Sequence, residues 1–283
     1  MSVINTNVAA NNTYRLMSMA AEDKASSMEK LSSGLRINRA ADDAAGLSIA
    51  EGLRSQANGL EVAARNISDG VSMAQTAEGG LAAAGDILQR IRDLAVQAGN
   101  DSNNEAARAA ITTEVTALTQ ELTRMSESIN FNGSNLLGAT NGAEGDGTTG
   151  IFSFQVGANA SDKIDLNLSG ARLDTLVTNM TTAGLTFDTA ENAATAITTV
   201  DTAIAAVSAA RSSIGAVQNR LEYTLKHVNV TAENLTNAES NIRDVDMAKE
   251  IVKQSAASIK EQASQAMLAQ ANQSTQGVLQ LLR

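Results

Sequence analysis

Few residues in this chain have the types and spacing that chemistry needs. His227 is the only histidine among 283 residues and cysteine is absent, so a metal site of several His and Cys ligands cannot be assembled and no Ser-His-Asp relay is expected. A solvated helix face accounts for His227. Asp42-Asp43 are adjacent carboxylates, yet they stand just before an expected helix start at Ala44. There an acidic side chain satisfies free backbone N–H groups and favours the helix dipole. Asn141 to Gly147 offers oxygen ligands without the spaced Asp/Asn ladder and closing Glu of a calcium loop, and reads as a surface turn. Met17, Met28, Met73, Met125 and Met267 fall mainly at or near helical seams, where methionine fills gaps rather than binding a ligand. No catalytic residue, cofactor site or metal site is expected, and the chain is not expected to be an enzyme.

The periodicity is the stronger signal. Ala10, Tyr14, Met17, Ala21, Met28 and Leu31 form one 3-4 stripe, broken only at Lys24. The pattern lapses between Leu35 and Asp43. A second helix then carries Leu53, Leu60, Ile67, Ala74, Leu81, Leu88 and Ala95 seven apart, with Ala63, Gly70, Ala77, Ala84, Ile91 and Ala98 three residues after each from Leu60 onward. As one helix, residues 44–98 would run about 80 Å. Its small residues Gly70, Ala74, Ala77 and Gly80 suggest a seam along which neighbours slide. Gly99 and the polar residues up to Asn104 stop it. Ile111, Val115, Leu118, Leu122, Met125 and Ile129 mark a third helix suited to antiparallel packing on the second.

From Phe131 to about Gly170 the period shortens. Ile151–Val156 and Lys163–Leu168 alternate, and the Gly-rich stretch from Gly138 to Gly150 adjoins them, so two or three short strands are expected. A long return helix follows, with Ile197, Val200, Ile204, Val207, Ile214, Leu221, Leu225, Val228 and Leu235 in register and polar breaks at Arg211 and Gln218. The last stretch runs through Val245, Val252, Ala256, Ile259, Ala263, Ala266 and Met267. Its apolar face is weak enough to need a partner, and the N-terminal helix is the natural one. The predicted class is mostly α: a long antiparallel helical hairpin rod with terminal coiled-coil helices and a small β-hairpin cap. The terminal helices should order only when many copies pack together.

Composition agrees. Proline is absent and aromatics make up 2% of the chain, which suits long uninterrupted helices with thin seams. A net charge of -10 repels phosphate backbones and anionic lipid, so neither nucleic acid nor membrane is an expected partner. No stretch is read as a membrane span. Met1 to Asn7 has no basic n-region or apolar h-region, so secretion would use a route without a cleaved signal peptide.

Both ends carry ordered strings that resemble bacterial flagellin. They are Ile4-Asn5-Thr6-Asn7, Leu31-Ser32-Ser33-Gly34-Leu35-Arg36-Ile37-Asn38 and Ala41-Asp42-Asp43-Ala44-Ala45-Gly46-Leu47 at one end. Gln218-Asn219-Arg220-Leu221-Glu222, Ala238-Glu239-Ser240 with Ile242-Arg243-Asp244, and Gln265 through Gln273 stand at the other. The resemblance covers roughly residues 1–137 and 190–283. It implies a subunit that polymerises into the flagellar filament for swimming motility, exported unfolded by the flagellar type III system and assembled at the tip.

By that likeness, residues 1–34 and 244–283 are inner-tube helices, 35–43 and 237–243 linkers, 44–130 and 190–236 the outer-tube domain, and 131–189 a short variable surface segment. Ala10, Tyr14, Met17, Met28, Leu31, Val245, Val252, Ile259, Ala263 and Met267 are the implied coiled-coil and polymerisation residues. Implied partners are further copies of the chain, an export chaperone on the C-terminal helix, the filament cap and the hook-associated junction proteins. Leu88 to Gln97 with Glu114 resembles the segment bound by the host Toll-like receptor for flagellin, with Gln89, Arg90, Leu94 and Glu114 as contacts. Family members that carry a zinc protease need two histidines for its His-Glu-x-x-His signature, which one histidine cannot supply. A hook–filament junction protein would share both ends, and a soluble coiled-coil adaptor would share the heptads.

Overall fold

The computed structural model describes residues 6–138, 150–182 and 185–281. The turn at Asn141–Gly147 and nearly all of the Gly-rich stretch lie outside them. The chain divides into two compact units, one of residues 1–56 with 233–283 and one of residues 57–232. Helix α2 (Ala44–Ala98) and helix α5 (Ala190–Arg243) contribute to both, so residues 44–56, read by resemblance with the outer-tube part, group with the terminal helices.

In the first unit, α1 (Val8–Ser33) pairs antiparallel with α6 (Met247–Leu281). Asn7 caps α1 by accepting the Ala10 N–H, and Gly34 ends it at φ 74°, a left-handed conformation that glycine adopts without strain. The connecting segments then pair. The Arg36 N–H donates to the Arg243 carbonyl at 2.6 Å and the Val245 N–H to the Gly34 carbonyl at 3.0 Å, around an antiparallel bridge between Leu35 and Asp244.

Asp43 Oδ1 accepts the Gly46 N–H at 2.9 Å and so caps α2, while Asp42 Oδ2 accepts the Asn38 and Arg39 N–H groups and closes the loop before it. Residues 237–243 are not a linker in secondary structure. Helix α5 continues to Arg243, aided by the i,i+4 Glu239–Arg243 pair, and only residues 244–246 separate it from α6.

The second unit holds the larger core. Along α2, Ile67, Ala74, Leu81, Leu88 and Ala95 are buried, as are Ala63, Gly70, Ala77, Ala84, Ile91 and Ala98 three residues after the positions of the main track. Helix α3 (Glu105–Ser128) packs on one flank through Ile111, Val115, Leu122 and Met125. Helix α5 packs on the other, and ion pairs Arg92–Asp201 and Glu78–Arg211 set its antiparallel direction.

The polar break at Arg211 is therefore one end of a bridge. The buried second track of α5 is Ala196, Ala203 and Val217 rather than Ile197, Ile204 and Gln218, because smaller side chains let the helices approach and the isoleucines fit beside the seam. One 18-residue window of α5 has mean hydropathy 1.4 and meets the length and composition of a membrane span, contrary to the expectation that no stretch would. Ala193, Val200 and Val207 of this helix lie in the core of the unit, and Asp201 is ion-paired.

Strands β1 (Asn130–Phe131) and β2 (Ser134–Asn135) form a hairpin across Asn132-Gly133, both at positive φ, as a tight primed turn requires. Strands β3 (Ile151–Gln155) and β4 (Lys163–Asn167) form the second antiparallel hairpin. Helix α4 (Leu173–Thr182) lies in the segment read as strand and variable loop. Its Leu173, Leu176, Val177 and Met180 spacing is helical, so the signal was present.

The small residues expected to form a sliding seam pack within the chain: Ala74 and Ala77 are buried in its core. A Cβ on Gly70 would meet the Phe154 ring at 3.2 Å, and one on Gly80 would meet Ile129 Cδ1 at 2.5 Å.

Candidate functional site

The seam between α1 and α6 is built from small and polar side chains. Among the described residues, Ala20 and Ser27 of α1 and Glu250 and Ala257 of α6 are buried in it. Lys24 Nζ lies 3.0 Å from Glu261 Oε2 and Asn7 Nδ2 donates to the Ala271 carbonyl at 3.1 Å. Lys24, expected to interrupt the stripe, is thus one of its links.

The Ser27 hydroxyl donates to Glu250 Oε1 at 2.8 Å, and Lys253 Nζ sits 3.0 Å from the other oxygen. Glu250 is 4% exposed. Burial by itself would raise its carboxyl, but hydrogen bonds from Lys253 and Ser27 and the charges of Lys253 and Lys30 outweigh that and hold it below the usual carboxylate range.

This seam corrects the predicted one. Ala10, Met17, Leu31 and Val245 are half-buried, whereas Tyr14, Met28, Val252, Ile259, Ala263 and Met267 are exposed. The two readings share positions 10, 17, 24 and 31, and the structure places the second track at 13, 20 and 27 instead of 14, 21 and 28. Thr13, Ala20 and Ser27 are smaller than Tyr14 and Met28, so the pair closes more tightly on them and turns the large side chains outward. Leu16, Met19 and Ile251 join that outward surface.

On the second unit, Arg90 and Glu114 come together at the surface, and Gln89, the residue before Arg90, is exposed. Arg90 Nη2 lies 2.7 Å from Glu114 Oε1 and both side chains are about half exposed. Leu94 does not join them. It is 2% exposed within the core, because α2 is covered on two flanks and this position faces inward, so it supports the helix and offers no contact surface. Nearby, the Asp201 hydrogen bond raises Arg92 above its ordinary pKa. His227 is exposed on α5, as expected.

A profile described as the bacterial flagellin N-terminal helical region matches residues 4–142, and one described as the bacterial flagellin C-terminal helical region matches residues 197–282. The chain belongs to the bacterial flagellin family. It is 48% identical to a flagellin of Halalkalibacterium halodurans, over 99% of this chain and all of that one. It is 45% identical to a flagellin of Bacillus subtilis over 99% of each chain.

The solved structure of Bacillus cereus flagellin has 29% identity and a TM-score of 0.50, covering 62% of this chain and 94% of that one. A hook-associated protein structure from Vibrio parahaemolyticus, titled putative in that role, has 14% identity and a TM-score of 0.59 over 72% of this chain and all of that one, which speaks to the fold alone. As a flagellin, the chain is a structural subunit of the extracellular flagellar filament and not an enzyme. The outward apolar faces of α1 and α6 belong to a protein whose work is to polymerise.

Proposed function

We propose that the terminal helices α1 and α6 form the inner tube of the filament, that residues 44–130 and 190–236 form the outer one, and that residues 131–189, which bury Phe152, Leu166, Leu168 and Phe187 in the core of their unit, form the outward side of that tube. One observation carries the reading. Tyr14, Met28, Val252, Ile259 and Met267 are exposed on α1 and α6 of the single subunit, a density of large apolar groups that contact with neighbouring copies would cover.

The same faces need protection before assembly. Export in the unfolded state through the flagellar type III system, with a chaperone on residues 244–283 until delivery, supplies it. Addition at the tip beneath a cap protein then orders the terminal helices, and the hook-associated junction proteins provide the first ring to build on.

The test is seeded assembly. Short filament seeds added to purified full-length chain should give sedimenting helical filaments visible by negative-stain electron microscopy, and a chain lacking residues 244–283 should give none. Filaments from the truncated chain would overturn the role assigned to α6.

A second reading concerns the host Toll-like receptor for flagellin. The Arg90–Glu114 pair and Gln89 are exposed and are the contacts that remain once Leu94 is assigned to the core. The soluble chain should bind the receptor and the filament should not, because the neighbouring subunits pack on this face. Equal affinity for both forms would refute it.

A further inference from the structure

Two successive heptads of α6 contain little that distinguishes one from the next. In α6, Glu250-Ile251-Val252-Lys253-Gln254-Ser255-Ala256 is followed by Ala257-Ser258-Ile259-Lys260-Glu261-Gln262-Ala263. Lysine recurs at the fourth place of each heptad, alanine at the seventh, a β-branched residue at the third, and Gln254 is matched in size by Glu261. Glu261 adds a charge that reaches Lys24 at the partly exposed edge of the seam, and among the buried positions the difference between the two heptads lies at their first place, glutamate in one and alanine in the other.

Helix α1 has the complementary difference. Its two buried residues, Ala20 and Ser27, are also one heptad apart. Because the helices run antiparallel, the register that joins Ser27 to Glu250 sets Ala20 opposite Ala257. Among the described side chains each helix thus carries one polar and one apolar buried seam residue, and like meets like.

We propose that the Ser27–Glu250 hydrogen bond is the buried side-chain determinant of register between α1 and α6, acting beside the partly exposed Lys24–Glu261 pair. A slip of one heptad brings either Glu250 beside Ala20 or Ala257 beside Ser27. Apolar packing changes little, since alanine and serine are close in size, but the carboxylate loses its donor from α1. A buried charge stripped of one partner is strongly disfavoured, and a single polar residue in an otherwise permissive helical seam selects register for that reason. The paired segment at Gly34–Arg36 and Arg243–Val245 holds the end of α1 to the start of α6 through backbone bonds, which read no side chain. The inference rests on the reading that α1 and α6 remain paired in the filament.

The test moves the lock by one heptad on both helices. Ala20→Ser with Ser27→Ala shifts the hydroxyl, and Glu250→Ala with Ala257→Glu shifts the carboxylate, where Lys260 stands three residues on as Lys253 does from Glu250. Four full-length chains are compared by the critical concentration for seeded assembly: unsubstituted, each half-swap, and the complete swap.

The carboxylate half-swap should raise the critical concentration at least about tenfold, the factor equivalent to about 1.4 kcal/mol, because it buries a charge opposite Ala20. The hydroxyl half-swap should raise it several-fold. The complete swap should recover most of the loss, with a residue remaining because Asp23 then stands where Lys30 stood. A complete swap no better than the carboxylate half-swap, or two neutral half-swaps, overturns the proposal. Failure of the unsubstituted chain to polymerise counts instead against the assembly reading. The order of the four chains in amide hydrogen exchange across α1 and α6 would then decide the lock, and equal exchange in all four would overturn it.

Discussion

Replacing Ile259 with serine separates assembly from folding. Ile259 is 67% exposed on α6 of the single subunit. Full burial of an isoleucine side chain is worth about 1.5–3 kcal/mol, so covering the exposed two-thirds by neighbouring copies contributes about 1–2 kcal/mol to each addition. At about 1.4 kcal/mol per factor of ten, Ile259→Ser should raise the critical concentration roughly 5–30-fold. Isoleucine and serine have similar helix propensities, so the helix itself is little disturbed.

The assay is sedimentation of seeded chain at a series of total concentrations, with the plateau in the supernatant read as the critical concentration. Thermal unfolding of the unit formed by residues 57–232, followed by circular dichroism, should be unchanged, since Ile259 lies outside it. A critical concentration within twofold of the unsubstituted chain would mean that Ile259 stays in solvent in the polymer, and the outward face would lose its assigned purpose.

Four further outcomes follow from the same geometry. Leu81 is fully buried in the large core; Leu81→Ala should cost about 2.7–5 kcal/mol, lowering the melting temperature of that unit by roughly 5–20 °C by circular dichroism. Gly70→Leu should drive a side chain into the Phe154 ring, destabilising the unit by about 1–3 kcal/mol through overpacking, and a filament waveform changed together with that loss would tie supercoiling to this contact. Asp43→Ala removes the cap on α2 and should cost about 0.5–2 kcal/mol, read by denaturant unfolding.

Acid should weaken the terminal pair. The Glu250 carboxyl, faced by Ser27, Lys30 and Asp23 from α1 and by Lys253 from its own helix, is depressed in the folded state. Its contribution is therefore full above the unfolded value of about 4.3 and is lost as pH falls through the lower folded value. Light scattering of filaments between pH 6 and 2 should show a transition in that window that Glu250→Gln diminishes.

The helical class, the long α2 track and the β3–β4 hairpin were legible in the sequence because each rests on local periodicity. Leu60 through Ala98 keep one spacing for more than five heptads, and no alternative face competes. The end strings that mark the family are likewise a property of residue order. Helix α4 carried a helical spacing as well, but Leu173 to Met180 is short enough for the neighbouring strand pattern to override it.

Which of two adjacent stripes on α1 and α6 turns inward was a matter for tertiary structure. On α1 the stripes share every second position, and on both helices hydrophobicity favours the one with Tyr14, Met28 and Ile259, whereas close approach of two helices favours Thr13, Ala20, Ser27 and Ala257. A pattern of apolar residues records what water avoids without saying whether the partner is the same chain or the next one. Only the paired helices, with Lys24 on Glu261 and Ser27 on Glu250, divide the two faces. The same limit applies to Leu94, whose residue type suits both a contact surface and a core, and which the flanking helices α3 and α5 commit to the core.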